Sequence, residues 1–276
     1  MKQFLYIPQS PVLRECVHFF SYIENDQPQD NEWVALFPNA TTNIAFSLNG
    51  PLELSGNHKL SSSVSSTCTT SIAMNTSNFK ACIVQLKPYG FYKLAKTPMY
   101  LLKNSMAHCD LFFSASELNE LCEKLQSEHT PTKIFATLED FFSEKIDDQN
   151  IDQRVSYGLD LLNSTQLSMD ELSSRLCLSN RGLHKLFTQQ VGISPKYYQK
   201  IVRFNKLANA IASEPDKSLT SLSHKVGYFD QAHSIKDFKY FADMSPIQYR
   251  KLKANSTDFY NFKTTEPHKF DKYIKL

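Results

Sequence analysis

Alternating apolar and polar residues mark the first hundred positions of the chain. Within residues 42–48, Ile44, Phe46 and Leu48 fall on one face, which is the period-two pattern of a half-buried strand. Residues 79–86 form a second apolar run, which ends at a Pro-Tyr-Gly turn signal. The sequence therefore predicts a β-rich N-terminal region.

The stretch between these two strands, residues 61–71, is rich in serine and threonine. Val64 and Cys68 are its only apolar members. Such a segment offers little apolar surface to a core, so we interpret it as an exposed strand or loop.

A helical period replaces the alternation from about Ser116 onwards. Apolar residues three and four positions apart form two stripes, which predict two amphipathic helices. The polar run at residues 147–150 follows, and we place a domain boundary there. This divides the chain into regions 1–150 and 151–254 and a tail at 255–276. The first of the two predicted helices has the apolar stripe Leu118, Leu121, Cys122 and Leu125, and the second has Ile134, Leu138, Phe141 and Phe142.

An internal repeat lies in the second region. Five positions of a first copy recur 51 residues later with the same residue types, which indicates two copies of one supersecondary unit. The matched positions are Phe187, Ser194, Pro195, Tyr198 and Lys200 in the first copy, and Phe238, Ser245, Pro246, Tyr249 and Lys251 in the second.

The first copy has the pattern of a helix, a turn and a second helix. Ser168 and Glu171 form a capping box, in which each side chain satisfies an unpaired amide of the other residue. A short apolar stripe with Leu172 follows, and Ser179 stands where an N-cap should open the next helix.

The second copy repeats this pattern with one difference. Gly227 is expected to end its first helix, because glycine tolerates a left-handed backbone, and Asp230 is expected to cap the next helix. Leu172 and Ser179 are seven residues apart, whereas Leu222 and Asp230 are eight apart. The second copy therefore has one extra residue in its turn.

The charge distribution favours contact between the second half and a polyanion. The net charge is +2, but residues 1–150 hold 11 basic and 16 acidic residues, whereas residues 151–276 hold 19 basic and 12 acidic residues. Two helix-turn-helix units in the basic half suit DNA, since such a unit places its second helix in the major groove. The alternative is that these polar faces are only the solvated sides of amphipathic helices.

The composition of the chain and the motifs that it lacks restrict the class of protein to which it can belong. Hydrophobic residues make up 41% of the chain, and there is neither a run of roughly 18 apolar residues nor a secretory signal, so we expect a cytoplasmic protein associated with the nucleoid. The six cysteines are scattered without a close pair, which predicts reduced thiols, no metal and no cofactor. No nucleophile elbow, paired metal-binding histidines or phosphate loop is present, so we expect no catalytic residues.

The two stretches SNRGLHKLFTQQVGISPKYYQK and VGYFDQAHSIKDFKYFADMSPIQYRK resemble the DNA-binding domain of the AraC/XylS family of transcription regulators. The resemblance covers residues from about 155 to 253. It implies two helix-turn-helix units joined by a long helix from Lys196 to about Ala212. It also implies that the second helix of each unit enters one of two successive major grooves on one face of promoter DNA.

Position by position, the resemblance assigns candidate contacts with DNA. The candidates for reading bases carry side chains suited to base edges, apart from one alanine, and the candidates for phosphate lie beside them. The base-reading candidates are Arg181, His184, Lys185, Gln231, Ala232, His233 and Lys236, and the phosphate candidates are Asn180, Lys239 and Arg250.

Two residues depart from the family pattern. Ser234 stands where a large apolar residue is usual, and a polar residue in the core should weaken the packing of the second unit. Asp243 stands where glycine is frequent. Because aspartate tolerates a left-handed backbone better than most residues, we expect that turn to survive.

The stretch QLKPYGFYKL in the first half resembles the poorly characterised domain that precedes this DNA-binding domain in one branch of the family. The resemblance implies a β-barrel or sandwich with trailing helices, which senses an effector (a small molecule or a protein) or forms a homodimer. We interpret most of the aromatic residues of this half as core rather than as the lining of a ligand pocket; they include Phe19, Phe20, Tyr22, Trp33, Phe37, Phe46 and Tyr92.

The expected fold is thus α+β and multidomain, with a β-rich N-terminal domain and an all-α C-terminal domain. The expected function is sequence-specific regulation of transcription, with RNA polymerase as a partner if the protein is an activator. Two alternatives remain: an adaptor whose tandem helices bind another protein, and a DNA-repair regulator that accepts an alkyl group on a cysteine. The second alternative requires an activated thiol.

Overall fold

The computed structural model describes residues 2–25, 33–54, 58–66, 69, 71–146, 151–253 and 261–264. The domain boundary expected at residues 147–150 and most of the tail from 255 to 276 lie outside the described residues. Within them, a β-rich N-terminal region precedes an all-helical C-terminal region, which confirms the expected fold class.

Among the described residues, ten strands belong to the N-terminal region and one to the tail. They are β1 (Lys2–Tyr6), β2 (Val17–Asn25), β3 (Trp33–Leu36), β4 (Asn43–Ser47), β5 (Leu52–Leu54), β6 (His58–Leu60), β7 (Ser62–Ser65), β8 (Ile72–Asn75), β9 (Phe79–Leu86), β10 (Met106–His108) and β11 (Asn261–Thr264).

The larger sheet has the strand order β1-β2-β9-β4-β7-β10, and each of its strand pairs is antiparallel. Its long central strands β4 and β9 are the two that the sequence pattern predicts. Ile44 and Val84 are partners across β4 and β9 and are fully buried, so the alternation of apolar residues faces the core as expected.

The smaller sheet has the order β11-β3-β8-β5-β6. Its edge strand β11 comes from the tail and pairs antiparallel with β3, with Asn261 opposite Leu36 and Thr264 opposite Trp33. The tail therefore returns to the N-terminal region. Both sheets are open within the described residues, so the architecture corresponds to the sandwich form of the expected fold and not to a closed barrel.

Of the described residues in the serine- and threonine-rich stretch, only Ser61 is exposed, so the exposure expected from the sequence is wrong for the others. Strand β7 lies between β4 and β10 within the larger sheet, and Ser63, Ser66 and Ser71 are buried. Their environment supplies hydrogen-bond partners for hydroxyl groups: Ser66 Oγ donates to the Leu102 carbonyl, and Ser71 Oγ donates to the Phe241 carbonyl over 2.7 Å. Buried hydroxyls are tolerated when they are paired in this way.

Four helices cover one face of the larger sheet: α1 (Pro11–Cys16), α2 (Gly90–Ala95), α3 (Ala115–Ser127) and α4 (Pro131–Lys145). The two stripes predicted between residues 118 and 142 lie on α3 and α4 and join the strand residues in one core. On the opposite face, Phe79 and Ala81 of β9 pack with Leu52 of the smaller sheet. The N-terminal region therefore has three layers, namely helices, the larger sheet and the smaller sheet.

Seven helices form the C-terminal region: α5 (Gln153–Ser164), α6 (Met169–Arg175), α7 (Asn180–Gln190), α8 (Pro195–Ser213), α9 (Leu219–Lys225), α10 (Gln231–Ala242) and α11 (Pro246–Lys253). The long helix α8 agrees with the predicted span within one residue at each end. Its buried stripe forms the centre of this region; the members are Tyr198, Ile201, Phe204, Leu207, Ala208 and Ile211.

The two regions share one hydrophobic core. Phe37, which follows β3, is buried among three rings of the C-terminal region, with centroid distances of 5.1 Å to Phe204, 6.4 Å to Phe238 and 5.4 Å to Tyr249. Next to it, Asn205 Nδ2 of α8 donates to the Pro38 carbonyl over 2.9 Å. The segment after β3 thus completes the packing between α8, α10 and α11.

Replacing Phe37 with alanine should destabilise the helical region, although the residue belongs to the other half of the chain. A buried phenylalanine truncated to alanine costs about 3–5 kcal/mol, because apolar burial is lost and a cavity remains. Urea unfolding of the full chain measures the cost, and amide hydrogen exchange locates it in α10 and α11.

The matched control is Phe4→Ala, since Phe4 on β1 is about half exposed. That variant should leave the exchange of α10 and α11 unchanged. Unchanged protection of these two helices in Phe37→Ala would show that Phe37 does not hold them.

Candidate nucleic-acid interface

The first helix-turn-helix unit consists of α6 and α7 and is built as the sequence predicts. Ser168 and Glu171 form the capping box, with Glu171 Oε2 accepting from the Ser168 amide over 2.8 Å. The chain reverses at Cys177, whose φ is +52°, and Ser179 Oγ then accepts from the Gly182 amide over 3.1 Å to open α7. Each of the two helices of this unit is therefore opened by a local hydrogen bond at its N-cap.

The second unit consists of α9 and α10 and repeats this construction. Gly227, with φ +90°, takes the left-handed position after α9, and Asp230 Oδ1 accepts from the His233 amide over 2.6 Å to open α10. Asp243 ends α10 with φ +54°, so the turn that usually carries glycine is kept. These features confirm the expected caps and turns at the three positions.

Ser234 is fully buried on the inner face of α10, but its hydroxyl group is paired. Ser223 Oγ of α9 lies 2.7 Å from Ser234 Oγ, which in turn donates to the Gln231 carbonyl over 2.7 Å. The expected weakening of the packing is thus offset by two hydrogen bonds, of which the one from Ser223 joins the two helices of the unit. The net effect on rigidity stays a prediction.

A buried carboxylate joins α10 to the long helix α8, and sequence reasoning missed it. Asp237 is 3% exposed, and its carboxylate lies 3.3 Å from Lys200 Nζ and 3.8 Å from Arg203 Nη2. His233 Nε2, one turn earlier on α10, lies 3.6 Å from the same group. The two cations of α8 offset part of the cost of burying this carboxylate and link α10 to α8. Among the described residues, its Oδ2 atom has no hydrogen-bond partner.

Arg203 also stacks on Tyr228 in the turn of the second unit. The guanidinium carbon of Arg203 lies 4.6 Å from the centroid of the Tyr228 ring. Burial raises the pKa of Tyr228, and the nearby carboxylate of Asp237 raises it further. The turn is therefore anchored on the same cluster as α10. The sequence did contain a signal for this cluster, since Asp237 is a carboxylate on the apolar stripe that includes Phe238 and Phe241.

The base-reading candidates of the first unit share one surface. Arg181, His184 and Lys185 are exposed on the first half of α7, opposite the buried Leu183 and Phe187. Residues three and four apart lie on one side of a helix, so these three side chains can face a single groove.

The candidates of the second unit are less uniformly exposed. Ala232 and Lys236 are exposed, whereas Gln231 and His233 are half-buried. Gln231 Oε1 accepts from the Thr220 hydroxyl over 2.7 Å, and His233 lies against Asp237. Lys236 is therefore the exposed cationic side chain among the four candidates.

The phosphate candidates occupy the margins of these surfaces. Asn180 and Lys239 are exposed, and Asn180 Nδ2 donates to Asp170 over 2.7 Å. Arg250 on α11 is half-buried and donates through Nη2 to the Lys217 carbonyl over 2.9 Å. This bond orders the guanidinium beside the beginning of α9.

A protein-family model described as a helix-turn-helix domain matches residues 172–252, the span that contains both units. These residues form an AraC-type helix-turn-helix domain. The resemblance expected from the sequence is confirmed for this span.

Relatives of the AraC-type domain are named as regulators of transcription. The chain is 30% identical over 83 residues to an uncharacterized HTH-type transcriptional regulator of Haemophilus influenzae, which covers 30% of this chain and 28% of the relative. It is 30% identical over 86 residues to the HTH-type transcriptional activator RhaS of Klebsiella pneumoniae, which covers 31% of each. The chain thus matches less than a third of the length of these relatives.

Among solved structures, ToxT from Vibrio cholerae aligns with 85% of this chain and 97% of its own, at 10% identity and a TM-score of 0.44. A probable AraC family transcriptional regulator from Rhodopseudomonas palustris aligns with 36% of this chain and 95% of its own, at 18% identity and a TM-score of 0.33.

The cysteine residues bear on the DNA-repair alternative. Burial raises the pKa of Cys16 and of Cys109 to about 12, and burial likewise raises the pKa of Cys82 and of Cys122. These four thiols are held in the protonated form, whereas an alkyl-accepting cysteine must react as the thiolate. Cys177 is exposed in the turn of the first unit, and Cys68 lies outside the described residues.

The described part of the chain contains neither a cluster of potential metal ligands nor a helix suited to a membrane. Across the described ranges, no three or more histidine, cysteine, aspartate or glutamate side chains converge as metal ligands would. None of the helices in the described part of the chain combines the length and the apolar character needed to span a bilayer.

Asp237→Asn should weaken the attachment of α10 to α8. The amide keeps the shape of the carboxylate but removes the charge that Lys200 and Arg203 contact, which should lower the free energy of unfolding by about 1–3 kcal/mol. Thermal or urea unfolding of the full chain at two salt concentrations tests this. Asp216→Asn serves as the control, because Asp216 is exposed. Equal stability of the two variants would mean that these ion pairs do not fix α10.

Proposed function

We propose that the chain is a sequence-specific DNA-binding regulator of transcription, which places α7 and α10 in successive major grooves of promoter DNA. The observation that carries the proposal is the pair of capped units on one long helix. Each unit buries one face of its second helix and exposes a polar face, in a region with an excess of basic residues. This is the arrangement in which a helix-turn-helix unit docks on DNA.

Within this proposal, Arg181, His184 and Lys185 read bases in one groove. Arginine and lysine donate to guanine edges, which accept at two positions in the major groove. The exposure of all three side chains on one side of α7 supports this role.

In the other groove Gln231, Ala232, His233 and Lys236 read bases. Glutamine can pair with adenine through two hydrogen bonds. Because Gln231 and His233 already have partners in the free protein, they are held in place before DNA binds.

Asn180, Lys239 and Arg250 contact phosphates, which position a protein on the duplex without specifying the sequence. The bond between Arg250 and the Lys217 carbonyl holds its guanidinium beside the second unit, which supports this role.

The N-terminal region modulates DNA binding in this proposal. Its segment after β3 lies in the core of the helical region, and Tyr197 OH of α8 donates to the Thr69 carbonyl over 3.3 Å. An effector (a small molecule or a protein) or a second copy that moves this segment changes the support of α8 and α10. The protein then acts at the nucleoid in the cytoplasm, and as an activator it contacts RNA polymerase.

The main test is selection of bound duplexes from a random library by the full-length protein at physiological salt. The proposal predicts a motif with two short blocks about one helical turn apart. A single block would remove the second unit as a base reader. Absence of enrichment, together with retention on heparin that is insensitive to salt, would overturn the proposal in favour of the adaptor, because binding to DNA must weaken as counterions are added.

Arg181→Ala should lose specificity at one position of the selected site. Loss of a bidentate contact with guanine should cost about 1–3 kcal/mol on the selected site and relax the preference at that base pair. Equilibrium titrations against the site and its single-base variants measure both effects.

The matched comparison is Lys239→Ala, which should weaken binding to all sequences equally and reduce the salt slope by about one. A uniform loss for Arg181→Ala as well would identify Arg181 as a phosphate contact instead.

A further inference from the structure

The extra residue in the second turn can be identified from the hydrogen bonds of the two units. In the first unit the Leu178 amide donates to the Ser173 carbonyl over 2.9 Å, and in the second the Tyr228 amide donates to the Ser223 carbonyl over 2.9 Å. The donor and the acceptor of the second bond each lie 50 residues after those of the first bond. Up to Tyr228, the two turns therefore match position by position.

After the turn, corresponding residues of the two units are 51 positions apart instead of 50. The first amide bonds of α7 and α10 run from Leu183 to the Ser179 carbonyl and from Ser234 to the Asp230 carbonyl, so the N-caps are 51 residues apart. The inserted residue lies between Tyr228 and Asp230. It is Phe229, which has no counterpart in the first unit.

The phenyl ring of Phe229 is 89% exposed, the highest value among the large apolar side chains in the described part of the chain. Its backbone is held on both sides: Tyr228 is buried beneath the Arg203 guanidinium, and Asp230 caps α10 through the His233 amide. The ring is thus presented to solvent by an anchored turn, directly in front of α10.

Residues at the N-terminal end of the second helix are those that approach base edges when a helix-turn-helix unit docks. The major groove offers one apolar group there, the C5 methyl group of thymine, and phenylalanine and alanine side chains are among those that contact it. Ala232, three residues after Phe229, is exposed at the same end of α10 and has no hydrogen-bonding group. These two positions give the second unit an apolar surface beside its polar side chains.

We propose that Phe229 is a specificity-determining residue, which packs against a thymine methyl group in the block read by the second unit. This inference depends on the proposed function, since it requires α10 to enter the major groove. It assigns a preference for thymine to the second block only.

The test replaces thymines of the second block one at a time with uracil, which pairs identically but lacks the methyl group. For the full-length protein, one such replacement should raise the dissociation constant about fourfold, the effect of one buried methyl-sized group. For Phe229→Ala the same replacement should have no effect. Phe229→Leu, which keeps an apolar side chain, should retain part of the sensitivity.

Two control variants separate this effect from general damage. Leu111→Ala removes another exposed apolar side chain, in the N-terminal region, and Arg181→Ala acts on the first block. Both should keep the full sensitivity to uracil in the second block. Thermal unfolding of Phe229→Ala should match that of the unchanged chain, because the ring is exposed.

The outcomes distinguish this inference from the proposed function. A two-block motif whose second block contains no methyl-sensitive thymine, or equal sensitivity in Phe229→Ala and the unchanged chain, overturns the role of Phe229 and leaves the proposed function standing. A library that yields no motif overturns the role of Phe229, and together with salt-insensitive retention on heparin it overturns the proposed function as well.

Discussion

The AraC-type domain depends on the burial of one face of the long helix α8. Both units pack on this helix, so its apolar stripe is the common core through which α7 and α10 are related to each other. With 19 residues, α8 is about 28 Å long, which is close to the distance of about 34 Å between successive turns of a major groove. The length of α8 is thus suited to holding the exposed faces of α7 and α10 at the spacing of two successive major grooves of one duplex.

The two units attach to α8 by different physical means. The inner face of α7 buries the apolar Leu183 and Phe187 and one polar residue, Gln190, and no charged residue. The inner face of α10 adds a buried hydroxyl pair at Ser234 and a buried carboxylate at Asp237 to its phenylalanines. Apolar contacts tolerate small rotations, whereas hydrogen bonds and ion pairs require particular geometry. The two attachments therefore differ in kind, and the exposed ring of Phe229 projects from the unit whose inner face also carries these polar contacts.

The N-terminal region is physically part of the support of these helices. Phe37 fills the space between α8, α10 and α11, and the Ser71 hydroxyl bonds to the last turn of α10. Strand β11 of the tail pairs with β3, the strand that immediately precedes Phe37. The chain therefore returns to the smaller sheet after the last helix. A core shared in this way couples the sheets to the helices of the AraC-type domain, because close-packed interiors transmit displacements.

Local patterns in the sequence determined much of this protein. The caps at Ser179 and Asp230 and the left-handed turn at Gly227 follow from short-range chemistry, which each segment carries with it. The span of α8 was implied by the family resemblance of the two repeated stretches. The tertiary structure decided the rest. Ser66 and Ser71 of the serine-rich stretch are buried because distant carbonyl groups accept from their hydroxyl groups. Asp237 is tolerated on an apolar stripe because α8 brings two cations to it. Burial of polar groups depends on partners that are far away in the chain, so only the folded arrangement reveals them.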